Sequence, residues 1–179
     1  MGRDKAMIEI DGRPLVVHVA EILGRAAHPV LLAPGRRGRL GDLGYEEVDD
    51  SRPGSGPIGG LVAALEASPH ELLAAVGVDM PFADPAVLRL CSELLTDEDA
   101  VVPVTPDGPQ PLHAVYSRTA VPGLARALAE EHRSLNEALA GLHLRLVGKD
   151  EWGWLDPTGR FAFNLNRPED LAHLTGATG

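Results

Sequence analysis

Several polar side chains in this sequence stand where they could bind a phosphate group or a metal ion. Asp79 follows the apolar run at residues 72–78 and precedes Pro81, where the chain must turn. A carboxylate at a strand end can hold Mg²⁺, which proteins bind through one or two carboxylates together with substrate phosphates. A turn or helix-capping aspartate is the alternative interpretation. Residues 2–6 read Gly-Arg-Asp-Lys-Ala, which is typical of the end of a phosphate-binding loop, so Lys5 is a candidate phosphate contact.

Two asparagines and a histidine extend this set. Asn164 and Asn166 occupy alternate positions, so on an extended chain their amides point to one face and could bind metal-bound water, phosphate or a base edge. A turn ahead of Pro168 is the alternative interpretation. His113 lies within the otherwise apolar stretch 111–116. It is either a structural core residue or part of a substrate cleft.

The elements that must position these side chains alternate along the chain. Apolar patterning predicts strands near residues 7–10, 30–32, 45–48, 72–78, 100–104, 112–116, 142–147 and 161–163. It predicts helices near residues 14–26, 61–65, 85–95, 120–131 and 135–140, with another that begins at Pro168. Such alternation indicates a three-layer α/β domain with a mostly parallel sheet and helices on both faces. Ligands of such sheets bind beyond the carboxyl ends of the strands, which adds Asp50 and the loop around Gly56 to the candidates.

Composition narrows the class of partner. The net charge of −10 disfavours a nucleic acid, which prefers a basic surface, but permits a mononucleotide. Cys91 is the sole cysteine, so an intrachain disulfide is impossible, and its helical apolar neighbours predict a core thiol. No apolar run approaches the ~20 residues of a membrane span, and no signal-peptide pattern opens the sequence. We therefore expect a single cytoplasmic domain over residues 1–179, with neither a nucleic acid nor a membrane as partner.

One motif supports a different class of protein. Residues 54–59 match G-x-G-x-x-G, the signature of a dinucleotide-binding oxidoreductase. In that signature the first glycine follows its strand directly, whereas Gly54 is separated from the predicted strand end at Val48. Pro53 and Pro57 also interrupt the loop. The seven histidines form no H-E-x-x-H pattern, so we do not expect a zinc site.

A set of short segments occurs in a characteristic order: MGRDKA at 1–6, GRPL at 12–15, DS at 50–51, GPIGGL at 56–61, DMPF at 79–82 and NLNRPEDL at 164–171. In this order the segments resemble the molybdenum cofactor guanylyltransferases, nucleotidyltransferases of the glycosyltransferase-A-like, Rossmann-like fold. PLHAVY at 111–116 also looks like that family. The similarity covers nearly the whole chain.

The resemblance implies a reaction in which GTP and molybdopterin give a guanine dinucleotide cofactor and pyrophosphate, with Mg²⁺ offsetting the charge of the phosphates. By resemblance, Asp79 binds Mg²⁺ and nucleotide, Lys5 contacts the triphosphate and Asp50 contacts the nucleotide. Lys5 and Asp79 are then the catalytic residues. The amides of Asn164 and Asn166 shape the metal and substrate end of the cleft.

His113 joins the two asparagines as a predicted substrate-binding residue. A molybdoenzyme or its chaperone is a further expected partner, as the recipient of the product.

Two departures from the family pattern qualify these expectations. The family opens with a strand, central in its sheet, and a Leu-Ala-Gly-Gly loop ahead of Met-Gly, and neither is in this sequence. We expect a natural protein longer by about 15–20 residues, enough for one strand and its loop. If the shortening is genuine, we expect weak or no transferase activity, and a non-catalytic pterin-binding module becomes an alternative.

The second departure concerns the base. The family often has an asparagine for guanine after the strand at 30–32, where this chain has Ala33-Pro34-Gly35. A cytidylyltransferase, or another small-molecule nucleotidyltransferase of the same fold, therefore stays open, although the DMPF segment favours guanine.

Overall fold

The computed structural model describes residues 4–50, 54–132, 134–166 and 170. The helices are α1 (Leu15–Leu23), α2 (Gly56–Ala67), α3 (Pro85–Leu94), α4 (Val121–Ala129), α5 (Leu135–Leu139) and α6 (Lys149–Trp152). The strands are β1 (Glu9–Ile10), β2 (Arg13–Pro14), β3 (Leu31–Leu32), β4 (Glu46–Glu47), β5 (Leu72–Val76), β6 (Ala100–Thr105), β7 (Gly108–Pro109), β8 (His113–Ser117) and β9 (Leu144–Val147). Short 3₁₀ helices cover Lys5–Met7, Arg118–Ala120 and Arg160–Ala162.

The main sheet has the order β5-β8-β6-β7, with β9 also paired to β6. β8 pairs antiparallel with both β5 and β6, whereas β9 runs parallel to β6. Hence β5, β6 and β9 share one direction. β8 runs against them because the connection from Thr105 to His113 is too short for the crossover that a parallel pair requires. The predicted α/β architecture is confirmed, with β8 in the middle of the sheet and the short β7 at the end of the strand order both antiparallel to β6.

Both faces of this sheet are covered. Val102 and Tyr116 pack with α2, α4 and α5, whereas Val101 and Val115 pack on the other side against α3 and Trp152. This division follows from the strand period of two, which sends successive side chains to opposite faces. Because both faces are buried, the strands read as nearly continuous apolar runs.

Two predicted local features are confirmed. Asp11 and Gly12 have φ of 49° and 76° and connect β1 to β2, as an Asp-Gly hairpin turn requires. Cys91 is fully buried between α3 and the sheet, and its burial raises the pKa of the thiol to about 12. The thiol therefore stays protonated at neutral pH, as expected of a core residue.

A groove of about 540 Å³ separates β3 from β5. Its walls are the consecutive residues 30–35 and 72–78, with apolar side chains of α1 on one side and of α2 on the other. β3 pairs with β4 and β5 pairs with β8, so within the described ranges no strand joins the facing edges of β3 and β5. The groove is therefore bounded as a strand inside a sheet would be, by a strand edge on each side and by a helix on each face.

One predicted element is wrong and another is outside the described residues. Of residues 161–163, predicted as a strand, Phe161 and Ala162 are part of a 3₁₀ helix, and Phe163 follows it in an extended conformation without a strand partner in the described residues. The cause is Asp156, whose carboxylate accepts hydrogen bonds from the backbone N–H groups of Thr158, Gly159 and Phe161 and so winds the chain tightly. The helix predicted to begin at Pro168 lies outside the described residues. None of the helices within those ranges is long and apolar enough to cross a membrane.

Candidate functional site

Asp79 lies on a tight turn directly beyond β5. The backbone N–H of Gly77 donates to Leu112 on the neighbouring segment over 2.8 Å, and Met80 donates back to Gly77 over 3.0 Å. Met80 is only 2% exposed, so its side chain anchors the turn in the core, while Asp79 remains half-buried at the edge. The strand end thus holds the carboxylate where a ligand of an α/β sheet binds.

Gly77 makes room for that carboxylate, which sequence reasoning missed. A Cβ at this position would lie 2.8 Å from Oδ1 of Asp79, closer than real Cβ atoms come to other heavy atoms. Any larger residue would force the carboxylate to move. The signal in the sequence is a glycine at the end of an apolar strand, where a close approach is a common reason for glycine.

Residues from both ends of the chain meet beside Asp79. Its carbonyl oxygen accepts a hydrogen bond from the buried Leu165 over 2.7 Å, which fixes the last described segment against the turn. The next residue, Asn166, is exposed, and its Oδ1 accepts from Nζ of Lys5 over 3.3 Å. Three of the predicted site residues, Lys5, Asp79 and Asn166, therefore occupy one edge of the sheet.

Asn164 is only partly available for a ligand. It is half-buried, and its Nδ2 donates to the carbonyl of Ala162 over 2.9 Å. Its Oδ1 is the atom left to face a substrate or a metal-bound water.

Lys5 is held in place by its neighbours. The preceding Asp4 caps the 3₁₀ helix by accepting from Ala6 N over 3.1 Å, and it pairs with the guanidinium of Arg39. Nε of Arg39 in turn donates to the carbonyl of Pro34, just after β3, over 2.8 Å. Ala6 is buried among side chains of α1 and β3. Arg39, which sequence reasoning also missed, thus ties the lysine segment to the end of β3.

Asp50 lies against the first turns of α2, after β4. The residue is only 7% exposed, and a Cβ at Gly59 would lie 2.5 Å from Oδ2 and 2.7 Å from Oδ1 of its carboxylate. The N-terminal end of a helix favours a negative charge, which explains how a buried carboxylate is tolerated here. Asp50 also lines one end of the groove between β3 and β5. The predicted neighbour Ser51 lies outside the described residues.

His113 is completely buried. Its Nε2 accepts a hydrogen bond from the backbone N–H of Asp84 over 3.0 Å, and its ring contacts Phe161 with centroids 4.7 Å apart. Burial lowers the pKa of the imidazole to about 4, so the ring is neutral at neutral pH. The ring has no exposed surface, and the substrate contact predicted for it stays a prediction.

An aromatic and cationic stack follows the Asp79 turn. The guanidinium carbon of the exposed Arg160 lies 3.6 Å from the centroid of Phe82, and Phe163 tilts against Phe82 with centroids 5.7 Å apart. A cation over an aromatic face at an exposed site contributes about 0.5–1 kcal/mol. These contacts, which sequence reasoning missed, join the Asp79 turn to the segment that carries both asparagines.

The donor set at this edge suits Mg²⁺ shared with a substrate. No group of three or more His, Cys, Asp or Glu side chains that could enclose a metal occurs in the described ranges. Asp79 offers one half-buried carboxylate, and Mg²⁺ commonly takes one or two carboxylates and completes its shell with phosphate oxygens and waters. The residues therefore fit a metal ion that arrives with a nucleotide.

Comparisons with known proteins point to one group. Residues 1–146 match the family model of the MobA-like NTP transferase domain. A "Probable molybdenum cofactor guanylyltransferase" of Chloroflexus aggregans is 32% identical over 176 residues, covering 95% of this chain and 85% of the relative. A "Molybdenum cofactor guanylyltransferase" of Vibrio cholerae is 28% identical over 175 residues, covering 97% and 83%.

Solved structures share the fold. The molybdopterin-guanine dinucleotide biosynthesis protein A of Archaeoglobus fulgidus superposes with a TM-score of 0.79 at 24% identity, covering 97% of this chain and 89% of that chain. The 2-C-methyl-D-erythritol 4-phosphate cytidylyltransferase of Thermus thermophilus gives a TM-score of 0.69 at 20% identity, covering 96% and 92%. At these identities the likeness concerns the architecture alone.

Proposed function

The chain belongs to the MobA-like NTP transferase domain family, and we propose that this nucleotidyltransferase moves GMP from GTP to molybdopterin with Mg²⁺. The products are the guanine dinucleotide cofactor and pyrophosphate. The observation that carries the proposal is the meeting of Asp79, Asn166 and Lys5 at one edge of the sheet. An enzyme that binds a nucleoside triphosphate needs a carboxylate for the metal ion and a cation for the phosphates. Asp79 and Lys5 offer these two groups at the same edge of the sheet.

The reaction needs positioning and charge compensation more than proton chemistry. A phosphate oxygen of molybdopterin attacks the α-phosphorus of GTP, the bond from that phosphorus to the bridging oxygen breaks, and pyrophosphate leaves with the bond electrons. Mg²⁺, when bound, offsets the negative charge on the phosphate oxygens. Asp79 holds the ion, and the rigid turn beyond β5 keeps the carboxylate in place.

Lys5 has the donors to hold the triphosphate. Its ammonium has three N–H groups, and its 3.3 Å bond to Asn166 uses one of them. The other donors can point at phosphate oxygens, and Asn166 keeps the flexible side chain at the edge of the sheet. We assign Lys5 to the leaving pyrophosphate and Asp79 to the metal.

The nucleotide is proposed to lie beyond the carboxyl ends of β3 and β5, next to Asp50 and the start of α2. Its base then faces residues 33–35. The names of the curated relatives support GTP, because they are called guanylyltransferases. The second candidate, a cytidylyltransferase or another nucleotidyltransferase of the same fold, is favoured only by the missing asparagine at residues 33–35.

The nicotinamide alternative is wrong. The family model spans residues 54–59, so the glycine motif belongs to a nucleotidyltransferase. Gly56 is the first residue of α2, with Gly54 in the loop ahead of it, and both have positive φ. These glycines shape the entry to a helix.

We also propose that residues 1–179 form one domain and that the strand expected from the family pattern fits the groove between β3 and β5. The walls of the groove are two strand edges, and helices close it above and below. Ala6 lines the groove and packs in one apolar cluster with Leu32 at the end of β3 and Val78 just beyond β5. A strand that led into Asp4 would therefore run parallel to both walls.

We still predict that the product is delivered to a molybdoenzyme or its chaperone. We also still predict a cytoplasmic location. Neither a nucleic acid nor a membrane is part of the proposed reaction.

The proposed function is tested by nucleotide binding and transfer. Calorimetry with Mg²⁺ should give heat of binding for GTP and little for CTP, and transfer to molybdopterin should release pyrophosphate. The measurement should be made on the chain of 179 residues and on a version that includes the in-frame residues encoded upstream. Preference for CTP, or the absence of transfer from both versions, would contradict the proposal.

A further inference from the structure

His113 lies between the two segments that form the proposed site. One segment runs from Gly77 through Asp79 to Asp84, and the other is residues 161–166 with the asparagines. The imidazole contacts a residue of each, and it is 0% exposed. His113 therefore lies in the core between the segment that carries Asp79, the proposed metal ligand, and the segment that carries Asn164 and Asn166, the predicted substrate contacts.

The first contact is a hydrogen bond. His113 is paired with Val76 at the end of β5, and the loop that carries Asp79 leaves the sheet at that point. Where this loop ends, Asp84 caps α3 by accepting from Ala86 over 2.7 Å, and its own N–H donates to Nε2 of His113 over 3.0 Å. The histidine thus holds the far end of the loop against the strand from which the loop departs.

The second contact is with an aromatic ring. Phe161, also 0% exposed, packs on His113 at 4.7 Å and meets Trp152 edge-on at 5.0 Å. From Phe161 the chain continues to Leu165, whose N–H donates to the carbonyl of Asp79 over 2.7 Å. The segment with Asn164 and Asn166 is therefore fixed at one end by the histidine and at the other by Asp79.

We propose that His113 is a positioning residue, which sets the place of Asp79 relative to Asn164 and Asn166 by bonding Asp84 and packing on Phe161. This inference rests on the proposed function of that site. In this role the fully buried ring acts through the two segments, and a direct contact with the substrate is not needed.

The protonation state suits this task. With Nε2 accepting from a backbone N–H, the proton of the neutral ring is on Nδ1. The lowered pKa of about 4 keeps the acceptor lone pair available at neutral pH. Nδ1 has no hydrogen-bond partner among the residues that the structure describes. Nδ1 is therefore left unpaired, while Nε2 keeps its hydrogen bond to the Asp84 N–H.

The test compares three variants in the full chain. His113→Leu removes the acceptor and leaves the Asp84 N–H buried without a partner, whereas His113→Gln keeps an acceptor oxygen near the position of Nε2. Val115→Ala is the matched control, because Val115 is a buried neighbour on β8 that packs against α3 and whose strand partners are Ala74 and Val101. All three change core packing, but only His113→Leu removes the bond to Asp84.

The first readout is hydrogen exchange at the amide of Leu165, which reports the bond to Asp79 without any turnover. We expect His113→Leu to speed this exchange at least tenfold, relative to the change in global stability, and His113→Gln to restore most of the protection. Val115→Ala should change it no more than its global destabilisation requires. Equal behaviour of His113→Leu and Val115→Ala would overturn the proposal, even if the proposed transferase activity is absent.

The second readout uses the enzyme with Mn²⁺ as a paramagnetic probe of the metal. We expect His113→Leu to lower kcat at least tenfold and to weaken Mn²⁺ binding to the GTP complex, while KM for GTP changes less than threefold. His113→Gln should recover kcat to within threefold. A kcat of His113→Leu within twofold of that of Val115→Ala would overturn the proposal. If His113→Leu fails to fold, His113→Asn replaces it, because its shorter amide does not reach the Asp84 N–H.

Discussion

Lys5 donates a hydrogen bond from Nζ to Oδ1 of Asn166 over 3.3 Å, across 161 positions of the sequence. Asn166 follows Leu165, whose N–H bonds the carbonyl of Asp79. The Lys5 ammonium and the Asn166 amide are thus bonded to each other, and the residue before Asn166 is bonded to the backbone of Asp79. Substitutions at and around these three residues distinguish the contacts that hold the site together from the residues that bind metal and nucleotide.

Replacing Asp79 by Ala removes the proposed metal-binding carboxylate. We expect kcat to fall about 10²–10³-fold, because the charge of the phosphates is no longer offset by a positioned ion. Steady-state transfer assays and a Mn²⁺ titration would measure the loss. Asp107→Asn is the control, because Asp107 is exposed in the turn between β6 and β7. Turnover of Asp79→Ala near that of the control would exclude the metal assignment.

Gly77→Ala should disturb the site although no side chain that binds metal or substrate is replaced. The new Cβ would lie 2.8 Å from Oδ1 of Asp79, so the carboxylate must rotate or the turn must shift. We expect metal affinity and kcat to fall at least tenfold, with a stability loss of about 1–3 kcal/mol. Gly141→Ala is the matched control, because a Cβ there meets only the carbonyl of Ala138 at an ordinary 3.7 Å. The two variants would be compared by urea unfolding and by metal titration.

Lys5 and Asn166 can be tested as a pair. Lys5→Met should raise KM for GTP and lower kcat, because a phosphate contact is lost, and Lys5→Arg should keep part of the activity. Asn166→Asp should also lower activity, since a carboxylate beside Nζ would hold the lysine and repel the triphosphate. Rates that respond to neither Lys5→Met nor Asn166→Asp would remove Lys5 from the proposed mechanism.

Stability should depend on pH through His113. Its pKa is about 4 in the folded protein and 6.5 for the free side chain, so the unfolded chain binds the proton first as pH falls. We expect the free energy of unfolding to keep its full value above pH 6.5. Between pH 6.5 and about pH 4 it should fall progressively, by on the order of 3 kcal/mol in total. Urea unfolding between pH 7 and pH 4 should show a flatter dependence for His113→Gln. Parallel curves for the two proteins would contradict this.

The groove between β3 and β5 should accept a strand. We expect the protein extended by its in-frame upstream residues to be more stable than the chain of 179 residues, because the new strand pairs with two edges and buries apolar surface. Hydrogen exchange should slow at the amides that point away from β4 and β8 into the groove, which are those of Leu31, Leu72, Ala74 and Val76. The same extension with prolines at alternate positions is the control, because proline cannot donate to a strand ladder. Unchanged exchange in the unmodified extension would exclude the groove as its position.

Much of this site can be located from the sequence alone. Asp79 stands out because an apolar strand and a turn-forming proline bracket it, and such signals are local. The Asp-Gly turn at residues 11–12 and the buried Cys91 are predictable for the same reason. Residues 161–163 are wrongly predicted as a strand because Phe161 and Phe163 are apolar in order to pack on other aromatic side chains, not to fill a sheet face. The hydrogen bonds of Asp156 wind the backbone at Phe161 instead.

Two of the residues that sequence reasoning missed, Arg39 and Arg160, act across long distances in the chain, whereas Gly77 acts on a near neighbour, Asp79. The two arginines have ordinary surroundings in the sequence, and their roles depend on what the fold brings near them, whereas Gly77 is marked by its place at the end of an apolar strand. A glycine matters here because Asp79 turns back over it, and an arginine because it reaches Asp4 or Phe82.

The sequence by itself determined which carboxylate ends a buried strand, which segments resemble the family and how charge limits the partner. These properties depend on residues that are neighbours along the chain or on short motifs. Only the tertiary structure decided that Lys5 meets Asn166, that Leu165 fixes Asp79 and that His113 joins both halves of the site. Such contacts arise when the sheet and helices bury their apolar faces, and that packing sets distances which no local pattern encodes.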